Sequence, residues 1–132
     1  MVGPHISLSP SLTGGQPTRF EHDGRTVYIV EREVRQAKAM LDGLTPAQRA
    51  RAVVSTQRIG LVLGPGHDGQ VLQPEGLPAS EMTSAQKAQF VKLIEARIGA
   101  LNDDDAGAVM ADLRSHLDQT YFAWFGPTDD AG

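Results

Sequence analysis

The chain has 132 residues, 40% of them hydrophobic and 21% charged, with a formal net charge of −4 and no cysteine. That length suits one domain with a real core, the acidic balance argues against a nucleic-acid partner, whose phosphates need Lys and Arg, and the missing thiols exclude disulfides, zinc–thiolate centres and cysteine nucleophiles. No apolar run approaches the roughly 20 residues that span a bilayer, so no membrane partner is expected, and Met1 to Ser11 lacks the basic-then-apolar pattern of a signal peptide.

Met1 to Thr18 carries Pro4, Pro10, Gly14, Gly15 and Pro17. Proline fixes φ and removes a donor, so residues 1–18 read as an extended arm. Within the arm, the alternation of Ile6, Ser7, Leu8 and Ser9 suits a short edge strand. His22-Asp23-Gly24 signals a turn, and Thr26 to Val30 has the β-branched and aromatic content of a strand. A first helix is predicted from Val30 or Glu31, with Val30, Val34, Ala37, Leu41 and Leu44 on one face. It should end at Asp42-Gly43, with Gly43 as a left-handed cap. The next start has an N-cap at Thr45, Pro46 at the first helical position, and Gln48 to complete a capping box. This second helix is expected to reach Val54 or Ser55 and to bury Ala50, Val53 and Val54.

Ile59, Leu61, Val62 and Leu63 form a short apolar run that breaks at Gly64-Pro65-Gly66-His67-Asp68-Gly69. Gln70, Val71 and Leu72 follow, then Pro74-Glu75-Gly76 and Pro78, which predicts two extended segments around a tight loop. A third helix opens on a second capping box, Thr83 with Gln86, and carries Phe90, Val91, Leu93, Ile94, Ile98 and Leu101 as a wide apolar stripe. Asn102 or Asp103 caps a fourth helix whose inward residues should be Ala106, Val109, Met110, Leu113 and Leu117. Tyr121, Phe122, Ala123, Trp124 and Phe125 then form an aromatic segment stopped by Gly126-Pro127. The expected fold class is therefore α+β, a helix-dominant single domain with about four helices and a few short strands.

The loop matches G-x-G-x-x-G after an apolar run. In a dinucleotide-binding unit the third glycine opens a helix that holds the pyrophosphate. Pro74 and Pro78 bar such a helix here, and the first cap is Thr83, so glycines for positive φ in a hairpin-like loop explain the motif better. His67 and Asp68 with Glu75 or Glu81 are the right types for a metal or acid–base site, yet all four histidines stand alone and no H-x-H or H-x-x-x-H spacing exists. Asp103, Asp104 and Asp105 lack the EF-hand glycine and glutamate and fit a helix first turn instead. Ser7, Ser55 and Ser115 have no G-x-S-x-G context. The aromatic segment has two readings: Tyr121 and alternate residues closing the core, or a pocket or partner surface.

Four stretches together resemble a known family. They are Leu44-Thr45-Pro46-Ala47-Gln48-Arg49-Ala50, the loop from Leu63 to Gly69 with Pro74-Glu75-Gly76, the helix start Thr83-Ser84-Ala85-Gln86-Lys87, and Thr120 to Thr128. They look like the uncharacterised family catalogued as domain of unknown function 3500, over about His5 to Gly132. The resemblance implies no activity. It does imply a longer family unit, of which this chain corresponds to a middle portion, with histidine-containing segments on either side.

No catalytic residue and no metal ligand is assigned, and the cofactor is left open. The residues singled out for binding are Gly64, Gly66, His67, Asp68, Glu75, Tyr121 and Trp124. The expected function is a non-catalytic binding or structural module, with self-association or pairing with another polypeptide. The alternative is part of a metal-dependent enzyme whose main ligands lie outside the chain.

Overall fold

The computed structural model describes residues 5–8, 13–16, 19–60, 69, 71–99 and 103–129. Two hairpins come first: β1 (His5–Leu8) pairs antiparallel with β2 (Thr13–Gln16), and β3 (Arg19–His22) with β4 (Arg25–Tyr28). The predicted edge strand in the arm thus exists but has a partner within the arm. Asp23 and Gly24 make the β3–β4 turn, both at positive φ (49° and 72°), where Asp and Gly are the tolerated residues.

Helix α1 (Glu31–Asp42) follows the second hairpin, then α2 (Pro46–Ala52), α3 (Ser84–Ile98) and α4 (Asp103–Ser115). With these four helices and a few short strands among the described residues, the fold is a helix-dominant α+β. Four short strands sit between and after the helices: β5 (Val53–Ser55), β6 (Leu77–Pro78), β7 (Tyr121–Phe122) and β8 (Trp124–Phe125). β5 pairs parallel with β8, and β6 antiparallel with β7.

Both predicted capping boxes form, and they meet. Thr45 Oγ1 accepts the Gln48 amide at 3.3 Å, and Gln48 Oε1 accepts the Thr45 amide at 3.0 Å. Thr83 and Gln86 repeat the pattern at 3.2 and 2.9 Å. The two glutamine side chains then bond each other: Gln48 Nε2 donates to Gln86 Oε1 (3.0 Å), and Gln86 Nε2 donates to Gln48 Oε1 (2.8 Å). Their remaining protons go to backbone carbonyls, Gln48 to Glu81 (2.9 Å) and Gln86 to Gly43 (3.0 Å). Every donor and acceptor site of both amides is filled, which also fixes which end is oxygen.

The core lies beside this joint. Met40, Leu41 and Leu44 from α1 and its exit meet Ala52 of α2, then Leu77, Ala79 and Met82, and finally Phe90 and Phe122. Phe90 and Phe122 contact edge to face, with centroids 6.0 Å apart and planes at 74°, a favoured aromatic geometry. Antiparallel α1 and α3 are tied from the middle of α1 to its C-terminal end, since Gln89 Nε2 donates to Gln36 Oε1 at 2.8 Å while Gln86 reaches Gly43.

Several expectations are corrected. Gly43 is right-handed (φ −80°), because its amide still reaches Ala39 O at 3.1 Å and the chain turns directly into the Thr45 cap. Helix α2 stops at Ala52, since Val53 leaves it to pair with Trp124. Ala52 is therefore the buried residue of α2, while Ala50 and Val54 are exposed. Strand β4 ends at Tyr28, and Val30 instead occupies the N-cap of α1. Val109 on α4 is exposed, leaving Met110 as the buried residue of that helix. Ile59 is exposed and outside any strand; Leu61, Val62, Leu63, Leu101 and Asn102 lie outside the described residues.

The joined amides predict a measurable coupling. Gln48→Ala and Gln86→Ala should each lower unfolding free energy by about 2–3 kcal/mol, from a lost cap bond and two or more further hydrogen bonds. The double variant should fall short of the sum by about 1 kcal/mol, because the mutual bonds are lost only once. Urea unfolding of the three variants checks this; strict additivity would mean that the pair is not energetically joined.

Candidate functional site

Of the residues singled out for binding, Gly64, Gly66, His67 and Asp68 lie outside the described residues. Glu75, Tyr121 and Trp124 are described, and topology brings them to one region. Residues 56–76 connect β5 to β6, and both strands pair with the aromatic segment. At one foot, Gly126 donates its amide to Ser55 O at 2.9 Å. At the other, Gly76 (φ 93°) lies so close to the Phe122–Ala123 backbone that a Cβ would collide with the Phe122 carbonyl oxygen. Glu75 precedes this contact and is exposed.

The aromatic segment divides its duties. Phe122 is buried and Trp124 packs on the core, so the even positions face inward rather than Tyr121 and its alternates. Tyr121 is 41% exposed. The Trp124 indole N–H bonds Gly126 O (3.1 Å) and Pro127 O (3.2 Å), tying the ring to its own turn. Lys38 Nζ donates to Thr128 O at 2.8 Å, which fastens that turn to α1. Trp124 is thus a closing residue of the core, and Tyr121 alone of the two presents a ring to solvent.

Ser115, His116 and Asp112 cluster at the end of α4, but not as a catalytic triad. The Ser115 hydroxyl (2.9 Å) and the Asp112 carboxylate (3.3 Å) both lie on His116 Nδ1. A triad needs the hydroxyl and the carboxylate on opposite ring nitrogens. Among the described residues, no three His, Asp or Glu side chains converge as a metal site. Asp103, Asp104 and Asp105 occupy the first turn of α4, where the helix dipole favours negative charge.

An apolar concavity lies elsewhere, between α1 and α3. Val30, Val34 and Ala37 line one wall of a groove of about 420 Å³; Leu93 and Ile94 line the other, with Glu33 and Arg97 at the rim. Leu93 and Ile94 also pack against the core cluster, so the groove floor is continuous with the interior. Val34 is 59% exposed. Val30 is a β-branched residue at φ 57°, a left-handed conformation costing of order 1–3 kcal/mol. It caps α1 without a side-chain hydrogen bond.

The predicted stripe Val30, Val34, Ala37, Leu41, Leu44 is therefore real, but it is covered over only half its length. Leu41 is fully buried and Leu44 nearly so, while Val34 faces solvent. The sequence signal for the groove was present in that stripe, where it reads as core.

The four stretches that resemble a known family fall inside a family-model match spanning residues 1–132. The chain belongs to that family, described as Protein of unknown function (DUF3500). The match includes the arm before His5 as well as the helical part. No curated protein and no solved structure matches the chain.

In this DUF3500 member the meeting of Gly76 with the aromatic segment yields a sharp test. Gly76→Ala adds a Cβ where φ is positive and the Phe122 carbonyl already sits. It should cost about 3 kcal/mol or more in unfolding free energy. Gly24→Ala also places a side chain at positive φ but in open space, and should cost only about 1–2 kcal/mol. Thermal and urea unfolding measure both; equal losses would show that the close approach at Gly76 is not tight.

Proposed function

We propose that this chain is a non-catalytic binding module that takes an apolar polypeptide surface along the groove between α1 and α3. One observation carries the reading: a single helical stripe is fully buried at Leu41 yet 59% exposed at Val34. A core-type stripe left open beside Leu93 and Ile94 suits a surface that another polypeptide completes. Burying a Val-sized side chain contributes about 1.5–3 kcal/mol, so several such contacts sustain a modest affinity after association costs. Glu33 and Arg97 at the rim supply opposite charges, as a polypeptide partner would meet them. The exposed Tyr121 on β7 and the exposed Glu75, two residues before β6, are a lesser contact surface.

Anilinonaphthalene sulfonate is a direct probe of the groove. The folded chain should bind it saturably, and Val34→Gln should weaken binding about five-fold while leaving the circular dichroism spectrum unchanged. Absence of saturable binding, or binding indifferent to Val34→Gln, contradicts the groove as the site. Stoichiometric divalent metal retained by the purified chain after dialysis would contradict the module reading in favour of the metal-dependent enzyme.

A further inference from the structure

Resting on the groove as a binding surface, we infer that Val30 is an affinity-determining residue of that site, kept in a strained left-handed conformation because the strain holds a rigid aliphatic wall ready for the partner. The backbone carries the argument. Among the described residues only Asp23 and Val30 are non-glycine residues at positive φ. Asp23 stands in a hairpin turn, where its residue type is tolerated. Val30, at φ 57° and ψ 9°, is β-branched, the type that suits this conformation least.

Nothing in the stability of the fold calls for valine there. Val30 belongs neither to the buried cluster around Leu41 nor to the partly buried residues packed on that cluster. It is half-buried, while its neighbour Ile29 is buried. As the N-cap of α1 it makes no side-chain hydrogen bond, whereas α2 and α3 are each capped by a threonine. Asparagine tolerates the left-handed region and would also supply the missing cap. What valine provides instead is a wall of the groove, beside Val34 and Ala37 and across from Leu93 and Ile94. Its carbonyl accepts the Val34 amide at 3.0 Å, which fixes this backbone to the helix that forms the wall. The branched Cβ leaves little χ1 freedom, so the methyl groups are in place before a partner arrives. Contacts ordered in advance cost less entropy on association. Strain retained at a binding surface in this way is held at the expense of stability.

Stability and binding should therefore move in opposite directions. Val30→Asn should raise the thermal midpoint by about 3–5 °C, since relief of strain and a new cap outweigh a half-buried valine contact. The same variant should weaken the saturable binding of anilinonaphthalene sulfonate at least about three-fold. Val30→Ile keeps the branching and the apolar surface, and should hold dye affinity within about two-fold with no gain in midpoint. A midpoint that stays or falls in Val30→Asn overturns the inference, because valine is then kept for packing. So does a raised midpoint with dye binding unchanged, or a loss of dye affinity in Val30→Ile equal to that in Val30→Asn. In each of these cases a weakened dye in Val34→Gln leaves the binding-module reading standing. An unmodified chain without saturable dye binding removes both.

Discussion

Two side-chain amides hold the helical part of this protein together. Gln48 and Gln86 each cap their own helix and then bond each other, so the starts of α2 and α3 become one unit. Bringing two helix N-termini together sets two positive dipole ends side by side. The arrangement is tolerable because each N-terminus receives a glutamine oxygen as well as a threonine oxygen. The bond from Gln86 to Gly43 O then draws in the C-terminal end of α1, which carries the opposite dipole sign. An ion pair between Arg51 and Glu81 spans the same joint on its exposed side. The fully buried Leu41 and Ala52 lie within the core those three helix ends enclose.

The aromatic segment is the second fastening. It closes the core with Phe122 and Trp124 and receives both strands that bound residues 56–76. Its hydrogen bonds face inward to its own turn, to β5 and to β6, so its rings serve mainly to seal. Only Tyr121 remains outward. The glycine at position 76 is required here for two reasons at once, backbone conformation and proximity to Phe122.

Features fixed by neighbours in sequence were legible from the sequence. Both capping boxes, Pro46 at a first helical turn, the Asp23-Gly24 turn and the acidic start of α4 depend on residues at most a few positions apart. What failed depended on distant partners. Val53 and Val54 have the spacing to extend α2, but as β-branched residues they accept an extended backbone readily, and Trp124 supplies the pairing. The inward parity of the aromatic segment is set by where β6 and β5 lie. Mutual bonding of two glutamines from separate capping boxes leaves no mark in either motif alone.

The α1 stripe shows the same division. Its periodicity identifies the apolar face correctly from Val30 to Leu44, but the cover over that face comes from residues remote in sequence and reaches only its C-terminal half. A pattern of apolar residues reports which side of a helix avoids water, not which molecule provides the shelter. Of the residues singled out for binding from the sequence, Trp124 serves the core and Tyr121 and Glu75 lie at the surface; the groove at Val34 is the more apolar site.

The claim on which the fold rests is that the two capping boxes open and close together with the core. Native-state hydrogen exchange followed by NMR tests it directly. The Thr45 and Thr83 amides, and the side-chain amide protons of Gln48 and Gln86, should exchange with the same opening free energy as core amides such as that of Phe90. Exchange of Thr45 and Thr83 at unrelated rates, or loss of their protons by fraying while Phe90 stays protected, would contradict the account.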